Sequence, residues 1–253
     1  MSYGTIHVFE GYLAGFRRNW RATLLTSFGL PILTLLGIGL GVGKYLTTRF
    51  DDVPYVEWIV PGLIAATAMN LAVSNSTWPV LAKHSWTGTY RTQISAPLRV
   101  RDVLAGHLAF VLFRVLISCL ALLAVAATFG AIASPSALVA VPVTLLLALA
   151  FAAPTFAFSA TVRSEIYFSA LTRFVIMPMS LFAGVFFPVA LLPEALRWLA
   201  AISPLSSGIN VIRSAMQHVA TPWPVFVHLG YLAAWAAAGW VLAHRRFRRR
   251  LIR

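Results

Sequence analysis

The chain predicts an all-α, polytopic membrane protein, and three observations carry that reading. Of 253 residues, 59% are hydrophobic and only 11% charged, too little polar surface to clothe a soluble globule. The apolar residues gather in runs of about 20, the length that crosses roughly 30 Å of hydrocarbon. Basic residues cluster between those runs in a pattern that sorts to one side, so the net charge of +13 reads as membrane topology and argues against nucleic acid as a partner.

The first element is amphipathic. Within residues 1–21, Ile6, Phe9, Leu13, Phe16 and Trp20 recur at spacings of three and four, while His7, Glu10, Arg17, Arg18 and Arg21 take other positions. That spacing predicts a helix lying in the headgroup plane with its apolar face toward lipid. It serves either as an anchor or as a lever touching a partner. The apolar run behind it is longer than a signal-peptide core, so no cleavage is expected.

Six crossings follow, near 22–43, 57–81, 103–129, 137–161, 166–187 and 223–243. With these marked, Arg17, Arg18, Arg21, Lys83, Arg91, Arg99, Arg101, Arg163 and the tail Arg245, Arg246, Arg248, Arg249, Arg250 and Arg253 share one side. Lys44, Arg49, Arg197 and Arg213 fall on the other. The positive-inside rule then puts both termini in the cytoplasm, and the Arg-rich tail reads as a topology and headgroup anchor.

The first crossing ends in GIGLGVGKY, which fails as a phosphate loop because Ile38 stands where glycine is needed and Tyr45 where Ser or Thr would hold magnesium. Its glycine pairs, Gly37 with Gly41 and Gly39 with Gly43, suit close helix approach. The second crossing carries Thr67, Asn70, Ser74 and Thr77 on one face, with Asn75 and Ser76 beside them. Such a stripe needs protein or water partners, so it either bonds to neighbouring helices or lines a translocation path. Pro79 should loosen the end of this helix, and Pro142 and Pro154 should bend the fourth.

Arg114 and Arg173 lie inside the third and fifth crossings. Each costs about 3 kcal/mol on insertion scales if unpaired, so they either snorkel to headgroups or attract an anionic headgroup of cargo. The lone Cys119 sits in an apolar run and forms no disulfide framework or thiolate cluster. Residues 188–222 hold Pro193 and Pro204, each placed to open a short helix, with Ser203 as an N-cap and Leu205, Ile209, Ile212 and Met216 in one stripe. They predict a pair of re-entrant or interfacial helices between the fifth and sixth crossings. That pair is either a surface cap or, with Phe186, Phe187, Leu205, Ile209 and Arg213, an outer gate.

The polar interruption from 83 to 102 mixes Lys83, Arg91, Arg99 and Arg101 with Trp86 and Tyr90, four positions apart and so on one helix face. It predicts a short basic and aromatic helix at 83–98 built to be gripped by another protein. Two other classes fit the sequence less well. A polytopic transferase needs converging ionisable groups, yet the crossings offer only scattered His107, Arg114 and Arg173. An ion-driven carrier normally keeps a buried acid, and the crossings show none deep inside.

Two stretches resemble a known family. Trp86, Tyr90, Thr92, Gln93, Leu98, Asp102 and Gly106 look like the coupling-helix region, and MPMSLFAGVFFPVALLPEALRWLAAISPL with Ile209 and Arg213 looks like the fifth span and helical hairpin, of NodJ-like permeases of ABC exporters, the type-2 membrane domain. The likeness spans nearly the whole chain, which it makes one permease domain, 1–253, in a bacterial plasma membrane. It implies a non-enzymatic transport subunit, with export as the direction and no cofactor of its own. Mg-ATP would be held by two ABC ATP-binding subunits, and a second permease copy or homologue would complete a dimer. Trp86, Thr87, Tyr90, Arg91, Thr92 and Gln93 would dock on the ATPase. Cargo is expected to be a lipophilic or amphipathic small molecule or a lipid-linked glycan.

Overall fold

The structure is a computed structural model that describes residues 3–18, 20–21, 29, 32–37, 53–83, 98–132, 135–162 and 164–251. Most of the predicted first crossing, and Trp86, Thr87, Tyr90, Arg91, Thr92 and Gln93 of the predicted coupling helix, lie outside the described residues. What is described is all-helical apart from turns and an isolated bridge residue. The helices are α1 (Tyr3–Arg18), α2 (Tyr55–Ser76), α3 (Trp78–Leu81), α4 (Val100–Thr128), α5 (Ala140–Ser159), α6 (Ile166–Leu171), α7 (Met177–Phe182), α8 (Glu194–Ile202), α9 (Pro204–Gln217) and α10 (Val225–Leu251).

Among the described residues, four helical stretches are long and apolar enough to cross a membrane: Tyr55–Leu81, Val100–Thr128, Ser136–Ser159 and Val225–Arg250. The apolar helix Ile166–Phe182 is shorter. It is also irregular, with a π-helical turn at Thr172–Ile176 between α6 and α7. That turn ends two residues before Pro178, whose ring would clash with a carbonyl one helical turn back, and the wider π geometry gives the ring room.

Helix α5 is the hub, packed by α2, α4, α9 and α10. In lipid, helix contacts depend on close packing because tails are as apolar as leucine. Small residues fill the seams accordingly: Ala65, Ala68 and Ala72 of α2 and Ala148 and Ala152 of α5 are buried. At the α5–α10 seam, a methyl group added to Gly239 would sit 2.4 Å from Pro154 Cδ. Pro142 falls in the first turn of α5, where the missing N–H has no intrahelical role. Thr77 breaks α2 from α3 just ahead of Pro79.

Helix α1 packs on the first half of α4. Its protein-facing side is Thr5, Val8 and Tyr12, with Thr5 and Val8 buried. This side lies about a quarter-turn from the predicted stripe: Ile6 and Trp20 stay exposed, Leu13 is half-buried, and Phe9 and Phe16 turn partly inward onto Phe110 and Phe113 of α4. The helix therefore has two non-polar sides, one against protein and one left for lipid. Glycine makes the contact possible, since a Cβ at Gly106 would lie 2.7 Å from Val8 Cβ and one at Gly4 would lie 2.7 Å from Leu98 Cδ2.

Candidate functional site

Three polar constellations stand along the bundle. At the end that carries α1, Lys83 closes the α3 turn and its Nζ sits 3.2 Å from the centroid of the Tyr12 ring. Tyr12 in turn stacks on His107 at 4.5 Å and on Phe110 at 5.2 Å. Burial pushes the Lys83 ammonium down to about 8, while the ring face attracts the charged form. A few residues away, Asp102 in the first turn of α4 accepts the Arg99 backbone N–H at 3.2 Å and the Thr5 hydroxyl at 3.5 Å.

The two residues that bound segment 84–97, Lys83 and Leu98, thus both rest on α1. Arg250 works at the same end. Its Nη1 donates to the carbonyl oxygens of Ala160 at 2.7 Å, Val162 at 3.1 Å and Ser159 at 3.3 Å, placing a positive charge on the carboxyl end of α5, where the helix dipole favours it.

Midway along the bundle, Arg114 Nη1 donates to Asn75 Oδ1 at 2.5 Å. Asn75 is held by its own amide, which donates to the Leu71 carbonyl at 2.7 Å. The guanidinium therefore reaches across from α4 to α2. The α2 stripe divides into two environments: Thr67 and Thr77 are buried and Asn70 and Ser74 are exposed. Asn70, Ser74 and Thr77 each donate to a backbone carbonyl of their own helix. Arg173 lies exposed in the π turn, away from this group.

At the opposite end, Arg213 of α9 lies over the Trp58 ring, 4.0 Å from its centroid, and its Nη2 donates to the Gly184 carbonyl at 3.0 Å. Gly184 has φ +91°, a conformation that glycine adopts without strain. Tyr55 donates to the Phe186 carbonyl at 3.0 Å, and a Cβ on Gly62 would lie 2.8 Å from Val185 Cα. The turn at 184–186 is thereby seated directly on α2. Phe186 and Phe187 are half-buried, and Leu205 and Ile209 are fully buried where α9 meets α2 and α5. Ser203 caps α9, its Oγ accepting the Leu205 N–H at 3.2 Å.

Sequence reasoning did not single out Tyr12, Gly62 or the partners of Arg114 and Arg250. Of these, only Asn75 gave a signal, as an amide beside the polar stripe. Among the described residues, no group of three or more His, Cys, Asp or Glu converges as a metal site would require.

Long apolar helices packed through alanine and glycine, with the ionisable groups spent on helix ends and helix-to-helix bonds, define a multi-pass membrane protein. The sequence pattern of the family described as ABC-2 type transporter matches residues 6–216. Nodulation protein J of Sinorhizobium fredii is 30% identical over 248 residues, covering 95% of this chain and 94% of that protein. Nodulation protein J of Rhizobium meliloti is 30% identical over 249 residues, covering 95% and 94%. The namesake from Rhizobium leguminosarum bv. viciae is 30% identical over 251 residues, covering 96% and 95%. The chain belongs to the ABC-2 type transporter family. It is a permease subunit of that family, and ATP is bound and hydrolysed by a separate ATP-binding subunit. The carrier and transferase alternatives give way to that membership.

Proposed function

We propose that this chain is the membrane-spanning half of an ATP-driven exporter, a single permease domain over 1–253 with six crossings near 22–43, 57–81, 103–129, 137–161, 166–187 and 223–243. Both termini lie in the cytoplasm. Two copies, or one copy and a homologue, pair with two ATP-binding subunits. Segment 83–98 is the coupling helix, with Trp86, Thr87, Tyr90, Arg91, Thr92 and Gln93 seated on the ATPase. Closure of the ATP-bound subunits pushes this segment, and the push passes to α1 and α4. The crossings then rock about the dimer interface, and a path lined partly by crossings two and five opens outward beside Thr67, Asn70, Ser74, Thr77, Arg114 and Arg173. Residues 188–222 form the helical hairpin at the outer leaflet, with Phe186, Phe187, Leu205, Ile209 and Arg213 as its gate. Cargo is a lipophilic or amphipathic small molecule or a lipid-linked glycan.

The observation that supports this reading best is the double grip of α1: Tyr12 holds Lys83 at the start of the proposed coupling segment, and Gly4 and Thr5 meet Leu98 and Asp102 at its end. A segment held at both ends by one helix, itself packed on α4, passes displacement into the bundle instead of dissipating it. ATP binding and cargo binding are then linked through two global states. In liposomes holding the permease and its ATP-binding subunit, Trp86→Ala combined with Arg91→Glu is expected to abolish cargo-stimulated ATP hydrolysis while leaving the thermal unfolding of the permease unchanged. Full stimulation in that variant would overturn the coupling assignment.

A further inference from the structure

Between α5, the α6–α7 helix, the end of α8 and α10 lies a cavity of about 520 Å³. Its walls include Phe151, Pro154, Ile176 and Phe182. Of its polar side chains, the Thr155 hydroxyl donates to the Phe151 carbonyl and Ser203 Oγ accepts the Leu205 N–H, so both are already engaged. Trp235 stands at the rim. A space of this kind has too few polar partners to retain water, and left empty it would forfeit dispersion contacts along its whole lining.

The cavity has a structural cause and a fixed shape. Pro154 and Pro178 both border it, as does the π turn, so α5 lacks a backbone donor and the α6–α7 helix widens where the two walls face one another. The end of α8, which lines the cavity, is tied to α10 by the Tyr231 hydroxyl, which donates to the Ile202 carbonyl. Its rim residues are open on the outside: Phe174 is 80% exposed, Ile202 65% and Trp235 41%. In a chain that crosses a membrane, that outside is hydrocarbon.

We infer that this cavity is a binding site for one extended hydrocarbon chain, entering sideways from the bilayer. Volume agrees with chemistry. At about 30 Å³ for a group the size of a water molecule, 520 Å³ has room for on the order of 17 methylene-sized groups, the size of one long acyl chain or of a segment of a longer prenyl chain. The charged head of the same lipid stays outside, since no wall residue carries a charge. The inference rests on the cavity alone and stands apart from the coupling scheme above.

The test uses the full chain in phospholipid nanodiscs containing a trace of phospholipid with a diazirine at the end of one acyl chain. After irradiation, mass spectrometry is expected to find adducts on 174–176 and 199–202 several-fold above those on 237–238 of α10. Those two alanines are exposed within a turn of Trp235 but lie outside the cavity. Val175→Trp, which fills the mouth from the lipid side, is expected to bring cavity labelling down to that background, whereas Val175→Ala keeps it. Unlabelled polyprenyl phosphate then separates the sources: loss of the adducts identifies a prenyl carrier chain as the preferred occupant, and their retention identifies the phospholipid's own chain. Labelling no higher than at 237–238, including the case in which a second copy of the chain covers the mouth, would overturn the inference. So would undiminished labelling in a folded Val175→Trp variant.

Discussion

Removing Arg250 tests whether the tail is structural as well as topological. Its guanidinium satisfies carbonyls of Ser159, Ala160 and Val162 through one nitrogen, groups that the end of α5 would otherwise leave to water or lipid headgroups. A charged hydrogen bond is worth about 1.5–3 kcal/mol and a cation at a partly buried helix terminus up to about 2 kcal/mol. These overlap, and Arg250 is only half-buried, so screening reduces the expected loss for Arg250→Ala to about 1–2 kcal/mol. At roughly 2–4 °C per kcal/mol for a chain of this size, Tm falls by about 2–8 °C. The reporter is built in: Cys119 is the sole cysteine and is 2% exposed, so a thiol-reactive dye in detergent follows unfolding directly. Arg249→Ala is the control, because it removes the same charge from an exposed neighbour and should stay within about 0.5 kcal/mol of wild type. Equal shifts for the two variants would refute the capping role.

Two further outcomes follow from the α1 end. Gly106→Val places a Cβ about where Val8 now packs, an overpacking that costs about 1–3 kcal/mol. It should loosen α1 enough to speed tryptic cleavage after Arg17 and Arg18; an unchanged digestion rate would contradict the packing. Lys83 supplies a pH dependence. Its folded value of about 8 lies below its ordinary 10.5, so between those values the unfolded chain binds more protons and stability rises with pH. Tm of the wild type should therefore gain on that of Lys83→Met from pH 8 upward, and a gap that stays constant or moves the other way would show that burial does not lower the ammonium's pKa.

Periodicity made the helical class and the long helices legible, because a span of hydrocarbon sets their length whatever they pack against. Local chemistry was legible too. Ser203 ahead of Pro204 starts α9, and the stripe Leu205, Ile209, Ile212 and Met216 is its buried face. What hydropathy could not say is which apolar side meets protein. In α1, Ile6 and Val8 look alike on any scale, yet only Val8 is opposite a glycine on another helix. The same holds for charge. Arg114 and Arg250 read as lipid-facing cations until tertiary packing brings Asn75 and the end of α5 within reach. The π turn follows from Pro178, but a proline alone does not say whether a helix will kink, break or widen.

The contact of Gly239 with Pro154 constrains any motion of the bundle. Where a pyrrolidine ring abuts bare main chain, no flexible side chain is left to act as a bearing, and sliding of α5 past α10 would drive the ring into the peptide beyond the glycine. These two helices, further joined at their ends through Arg250, must travel as a single strut. Whatever relative displacement the transport cycle demands has to be taken up at other seams, with the irregular stretch around Thr172–Ile176 the most compliant of those described.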